Sequence, residues 1–326
     1  MSDENGSAPQ WFVDALAAPV ETGKYTVSGA TISYRAWGEA GTPGVVLVHG
    51  GMAHSRWWDH IGPQLAVGRR VVALDMSGHG DSDHREQYSL EYWADEVLGA
   101  AEHGGISGPP VLVGHSMGGI VSFVTSALHG DRLAGVVILD SPIRDMTPEE
   151  LEMRAKTVAN SGPPKVYPSV DAAVARFRLV PPQEQAEPYV FDHIARTSLK
   201  EVDGGWSWKF DNLRMGREAR RSLEVLRQGC PLTYFRCEHG IIREPLLTQI
   251  REQLGPAATM VELPAAGHHP MFDQHWPWSR RPGPCSPGGV ADSVNRFAWW
   301  PSTWVPSHGC RATPASSSGW TARSRN

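Results

Sequence analysis

The sequence predicts an α/β fold: a mostly parallel central sheet with helices on both faces and a helical cap inserted over one sheet edge. Three observations carry that prediction. Short, continuously apolar runs of strand length recur along the chain, with helix-length stretches between most of them. The interval between the runs ending at residue 139 and starting at 232, about ninety residues, is far longer than an ordinary crossover. And Gly114-His115-Ser116-Met117-Gly118 lies where one such run gives way to a helix.

In chain order, residues 1–20 read as an N-terminal leader, polar and acidic over its first ten and able to form a short helix over 11–17 that packs Trp11 and Phe12 on the body. The acidic start has neither a positive n-region nor an apolar h-region, so it is not a signal peptide. Residues 24–27 and 30–34, joined across Ser28-Gly29, read as a hairpin. Residues 44–48 are apolar without interruption, as a strand buried on both faces should be. Runs at 70–74, 110–113, 133–139, 232–235 and 259–263 repeat the pattern, and 90–103, 118–128 and 244–254 read as helices between them. The core is therefore expected over 21–141 and 229–274. The insertion, 142–228, carries helical stretches at 147–159, 170–177, 189–198 and 216–226 and the pairs Pro163-Pro164 and Pro181-Pro182.

Composition narrows the class. With 326 residues, 40% apolar and 20% charged, the chain reads as an ordinary soluble globular protein. A net charge of −5 and no basic cluster before the far C-terminus argue against a nucleic-acid partner, and no apolar stretch is long enough to span a membrane. Cys230, Cys237, Cys285 and Cys310 show no metal or redox spacing, which fits a reduced, cytoplasmic setting. The expected partner is a small-molecule substrate.

Gly-x-Ser-x-Gly alone is weak, because glycine is common in this chain. Its setting makes it informative. Val111-Leu112-Val113 reads as strand and Met117-Gly118-Gly119-Ile120-Val121 as the opening of a helix. A strand-to-helix elbow presents the serine oxygen at the sheet's C-terminal edge, where the helix N-terminus favours developing negative charge. On these residues the sequence resembles the α/β-hydrolase superfamily, in its serine-nucleophile, esterase-like branch with a helical cap. The resemblance covers residues 20–274. A serine at position 116 sets the chain apart from the haloalkane dehalogenases and epoxide hydrolases of that fold, which use aspartate there.

Glycines in Val48-His49-Gly50-Gly51-Met52, after the first buried strand, allow backbone N–H groups to point at a reacting carbonyl. The resemblance places the two oxyanion donors at Gly51 and Met117 and leaves His49 to brace the loop. For the general base, Gly267-His268-His269 follows the last strand and offers two adjacent histidines; the superfamily's Gly-His pattern selects His268. The acid in much of that family follows the strand before the last, where this chain has Glu238-His239-Gly240, with glycine in the expected aspartate position. The family's alternative position, after the strand that follows the nucleophile helix, offers Asp140 in Leu139-Asp140-Ser141-Pro142, and Asp140 is the expected acid. Glu238 competes with it, as do Asp75 and Asp81 in a loop that resembles a structural loop of the family.

The expected activity is hydrolysis of a carboxylic ester or related acyl compound by Ser116, His268 and Asp140. C–C bond, thioester or lactone hydrolysis, perhydrolysis and non-catalytic ligand binding are the alternatives on the same residues. No metal or organic cofactor is implied. In the insertion, residues 176–183 and 204–211 either line an acyl or alcohol pocket or, with Trp206, Trp208 and Phe210 alternating like a packed strand, anchor the cap. After Gln274 the composition changes: residues 275–326 hold six of the 13 tryptophans and no lysine, and show no helical period. Tryptophan is read only from TGG and proline from CCN. Shifted by one base, Trp276-Pro277-Trp278 reads (Leu/Val/Met)-Ala-(Leu/Val/Met), and Trp299-Trp300-Pro301 reads (Leu/Val/Met)-Val-Ala. A frameshift near residue 275 is therefore expected to account for this segment, where the fold calls for an amphipathic helix.

Overall fold

The computed structural model describes residues 8–160, 162–211 and 222–273. The start of the leader, most of the stretch expected as a helix over 216–226, and the whole atypical tail, with Cys285 and Cys310, lie outside the described residues. Helix α1 (Gln10–Ala17) is followed by β1 (Glu21–Val27), β2 (Ala30–Trp37), β3 (Gly44–Val48), a short α2 (Gly62–Leu65), β4 (Arg70–Leu74), α3 (Leu90–His103), β5 (Val111–His115), α4 (Met117–His129) and β6 (Gly135–Leu139). The insertion contributes α5 (Pro148–Asn160), α6 (Val170–Val174), α7 (Pro188–Thr197), β7 (Leu199–Val202) and β8 (Gly205–Trp208). Then come β9 (Leu232–His239), α8 (Leu246–Leu254), β10 (Thr259–Gly267) and α9 (Pro270–Asp273).

The strands form one eight-stranded sheet in the order β1-β2-β4-β3-β5-β6-β9-β10. β2 runs antiparallel to both its neighbours, and from β4 to β10 every pairing is parallel. Every residue of β3, β4, β5 and β6 is buried. Alternation sends successive side chains to opposite faces. Val46, Val48, Val72, Leu74, Leu112, Val136 and Ile138 join Trp93, Val97, Phe123, Val124 and Ile250 of α3, α4 and α8 on one face. Val45, Leu47, Val71, Ala73, Val113, Val137 and Leu139 join Phe12, Leu65, Ile194 and Phe272 of α1, α2, α7 and α9 on the other. Each buried Val, Leu, Ile or Phe among them contributes about 1.5–3 kcal/mol, so the central strands form one rigid platform.

The insertion is not wholly helical, and the strand-like alternation at Trp206 and Trp208 falls in a strand. Residues 199–208 form an antiparallel hairpin, β7 with β8, and residues 222–226 are not helical. Trp206-Ser207-Trp208 alternates as a strand does, with Ser207 buried. The aromatic rings anchor the segment: Trp208 packs at 5.8 Å from Tyr167 and 5.6 Å from Phe177, and Phe177 at 5.0 Å from Phe191. Among the described residues, no helix is long and apolar enough to cross a membrane.

Candidate active site

Ser116 joins β5 directly to α4 at φ 52° and ψ −118°. A left-handed conformation at a residue with a β-carbon costs on the order of 1–3 kcal/mol and persists only where its surroundings enforce it. Here the Ser116 N–H donates to the Leu139 carbonyl at 3.0 Å, and the Ser116 carbonyl accepts from Gly119 N–H at 3.0 Å. The helix start also lies hard against β3. A β-carbon on Gly118 would stand 2.3 Å from the Val48 carbonyl oxygen, so glycine at that place is a packing requirement.

Three strand ends on one edge of the sheet deliver three side chains to one point. Ser116 follows β5, Asp140 follows β6, and His268 follows β10. His268 Nε2 lies 3.1 Å from Ser116 Oγ, and His268 Nδ1 lies 2.8 Å from Asp140 Oδ2. A carboxylate only accepts, so Nδ1 carries the proton toward Asp140 and leaves the Nε2 lone pair facing the serine hydroxyl. Asp140 is fully buried and also accepts from the backbone N–H groups of Ile241 (2.9 Å) and Cys237 (3.1 Å). Those donors come from the end of β9 and the turn after it, the place where the resemblance led one to look for the acid. A β-carbon on Gly240 would fall 2.2 Å from Asp140 Oδ2. Glycine stands at 240 because the carboxylate arriving from β6 already fills that space.

The competing carboxylates have other partners. Glu238 is exposed and accepts from the Ala265 N–H at 2.8 Å, bracing the irregular stretch of β10. Asp75 is buried beneath its own loop, accepting from Ser55 N–H (2.6 Å) and Asp81 N–H (2.9 Å). Asp81 pairs with Lys209 at 2.8 Å. His269, the rival base, is buried beside the Trp57 and Phe272 rings, and burial holds its imidazole down at about 3.

Two further histidines act as struts. His49 Nδ1 donates to the Gly50 carbonyl at 2.7 Å, and its Nε2 accepts from the Met76 N–H at 3.0 Å, which ties the glycine loop after β3 to the loop after β4. Burial pushes its pKa well down, as a neutral strut requires. His115 donates from Nε2 to the His268 carbonyl at 2.8 Å; residue-by-residue reading of the sequence missed this contact because the histidine sits unmarked inside the elbow motif. Gly51 and Met52 are exposed at the rim, and a β-carbon on Gly51 would stand 3.8 Å from Met117 Sδ, so the Met117 side chain lies beside Gly51. His115, His268 and His269 offer ring nitrogens spread over up to 4.8 Å. Two imidazoles on one zinc ion need about 3.3 Å between nitrogens, given Zn–N bonds near 2.0–2.1 Å. Both ring nitrogens of His268 are engaged, Nδ1 by Asp140 and Nε2 by Ser116.

The model of a family described as "Alpha/beta hydrolase family" matches residues 45–276. Over 244 residues the chain is 41% identical to the dihydrolipoyllysine-residue acetyltransferase component of an acetoin cleaving system from Pseudomonas putida, covering 71% of this chain and 60% of that one. It is 27% identical over 197 residues to an esterase of Mycobacterium tuberculosis, covering 58% and 63%. The chain thus spans about three fifths of the length of both relatives. Among solved structures, a hypothetical protein of Pseudomonas aeruginosa superposes with a TM-score of 0.62 at 28% identity, covering 78% of this chain and 94% of that chain.

Proposed function

The chain belongs to the alpha/beta hydrolase family, and from that premise we propose that it hydrolyses a carboxylic ester or related acyl compound through an acyl-enzyme on Ser116. The observation that carries the reading is the single imidazole of His268 bridging Ser116 Oγ at 3.1 Å and the buried Asp140 carboxylate at 2.8 Å. His268 takes the serine proton as Oγ attacks the carbonyl carbon, and Asp140 holds the ring in the reactive tautomer and stabilises the imidazolium. The N–H groups of Gly51 and Met117 receive the charge that develops on the carbonyl oxygen. The imidazolium returns its proton to the leaving alcohol. A water, deprotonated by the same imidazole, then releases the acid and regenerates Ser116. The esterase of Mycobacterium tuberculosis among the relatives supports an ester as the bond cleaved. The segment 142–228 acts as the cap over this site.

The test is a burst experiment with an activated p-nitrophenyl ester, together with labelling by a fluorophosphonate. A stoichiometric burst and labelling of the parent, both lost in Ser116→Ala, are the expected result. Labelling at full strength in Ser116→Ala overturns the assignment, and ligand binding without a burst favours a non-catalytic binder.

A further inference from the structure

Gln183 lies in the insertion, 86 residues before His269, yet its amide folds onto the backbone that carries the base. Its Oε1 accepts from the His269 N–H at 2.8 Å. Its Nε2 donates to the His269 carbonyl at 3.2 Å and to Asp273 Oδ2 at 2.9 Å. Asp273 Oδ2 in turn accepts from the Gly267 N–H at 2.6 Å. The backbone on both sides of His268 is thereby tied to one amide–carboxylate pair, while the His268 carbonyl itself is held by His115. The same stretch of the insertion makes a second attachment nearby, where the Glu187 N–H donates to the Phe272 carbonyl at 2.8 Å.

The residue before the base records how close this approach is. A β-carbon on Gly267 would fall 2.4 Å from Cδ and Oε1 of Gln183 and 2.9 Å from Asp273 Oδ2. The φ of Gly267 lies outside the left-handed region, so its backbone would admit any residue. What excludes a side chain is the Gln183 amide lying on its Cα.

We propose that Gln183 is a positioning residue: with Asp273 it clamps the 267–269 backbone and sets the His268 ring between Asp140 and Ser116, so that turnover depends on how the insertion is seated. This rests on the reading of Ser116, His268 and Asp140 as the reacting set. A misplacement of about 1 Å at a catalytic group costs on the order of 100-fold in rate, and a side chain that acts only through His268 should show that loss in kcat.

The experiment measures kcat, KM, the pH profile of kcat/KM, the fluorophosphonate labelling rate and Tm for the parent, Gln183→Met, Gln183→Ala, Gly267→Ala and the double variant Gln183→Ala/Gly267→Ala. Gln183→Met keeps the packing volume and removes every hydrogen bond. It should lower kcat by about 10–100-fold with KM within about threefold, and change the pH profile of kcat/KM. Gly267→Ala should be as damaging in the parent but cost less than about threefold in the Gln183→Ala background, because the two changes compete for one space. A Gln183→Met protein with parental kcat and pH profile overturns the clamp. So does a Gly267→Ala penalty that is equal in both backgrounds, an outcome readable even if Gln183→Met folds poorly. If the parent itself is not labelled at Ser116, the serine reading and the clamp fall together; if it is labelled, only the clamp is at stake.

Discussion

Asp140→Asn separates orientation from charge at the base. The carboxylate of Asp140 accepts from three donors: Cys237 N–H on Oδ1, and Ile241 N–H and His268 Nδ1–H on Oδ2. An amide offers one acceptor oxygen and one NH2, so neither orientation satisfies all three. With the oxygen toward His268, a single donor faces the Cys237 N–H, at a cost of about 1–3 kcal/mol in stability. With the amide reversed, two donors are opposed and His268 is driven to the tautomer that has no lone pair for Ser116. The first orientation wins on that count, keeps the ring in place and loses only the charge. An imidazolium and a carboxylate about 4 Å apart at an effective dielectric near 20 attract by about 4 kcal/mol, which is roughly 10³ in rate. Partial population of the reversed amide carries the expected loss in kcat toward 10⁴-fold. Steady-state kinetics on a p-nitrophenyl ester, with Glu238→Gln as the control, measures it; Glu238→Gln should stay within about twofold because that residue braces β10 from the surface. A fall of less than tenfold in Asp140→Asn, or a crippled Glu238→Gln, refutes the assignment of the acid.

Three other outcomes are expected. Gly240→Asp alone should cost at least about 100-fold in kcat, since its β-carbon displaces the Asp140 carboxylate, and Asp140→Gly/Gly240→Asp should recover part of that loss by supplying the acid from the strand next door; a double variant no better than either single change would show the two positions are not interchangeable. Burial holds His54 down at about 3 and His60 and His79 at about 4. With folded values below the unfolded 6.5, the stability these neutral rings provide is complete above about pH 6.5 and is lost as pH falls toward 4, by about 2 kcal/mol for each ring at pH 5, so urea midpoints should drop steeply over that window, and a flat profile from pH 7 to 5 contradicts the burial argument. Restoring the shifted reading frame after Gln274 should raise Tm by supplying the helix expected there, worth roughly 5–10 kcal/mol from three or four buried side chains; resequenced DNA that keeps the frame, with residues 276–300 resistant to protease, rules this out.

What was legible in the sequence follows from how local each constraint is. The elbow is readable because a strained serine between strand and helix needs its glycines within two residues, and Gly114 and Gly118 stand there in the chain. The central strands are readable because burial on both faces leaves no polar positions in β3, β4 or β6 to blur the run apart from the Arg70 that opens β4. Of the β7–β8 hairpin only β8 was legible, because Trp206-Ser207-Trp208 carries the strand period, whereas Leu199–Val202 continues a stretch read as helix. Asp140 stood out through an absence, the glycine at 240, and the structure supplies the reason in the 2.2 Å between a β-carbon there and the carboxylate.

His268, the proposed base, is the opposite case. Its ring is placed by Asp140, 128 residues before it, and its backbone by His115, Gln183 and Asp273, of which only Asp273 is near in sequence. A glutamine after Pro181-Pro182 has no pattern that announces a role, so nothing short of the fold could find it. The same distribution has a functional consequence. Ser116 is held by the rigid sheet and its own turn, whereas His268 is held in part by Gln183 of the insertion. Changes that reseat the insertion should therefore alter the rate of proton transfer before they disturb the geometry of Ser116.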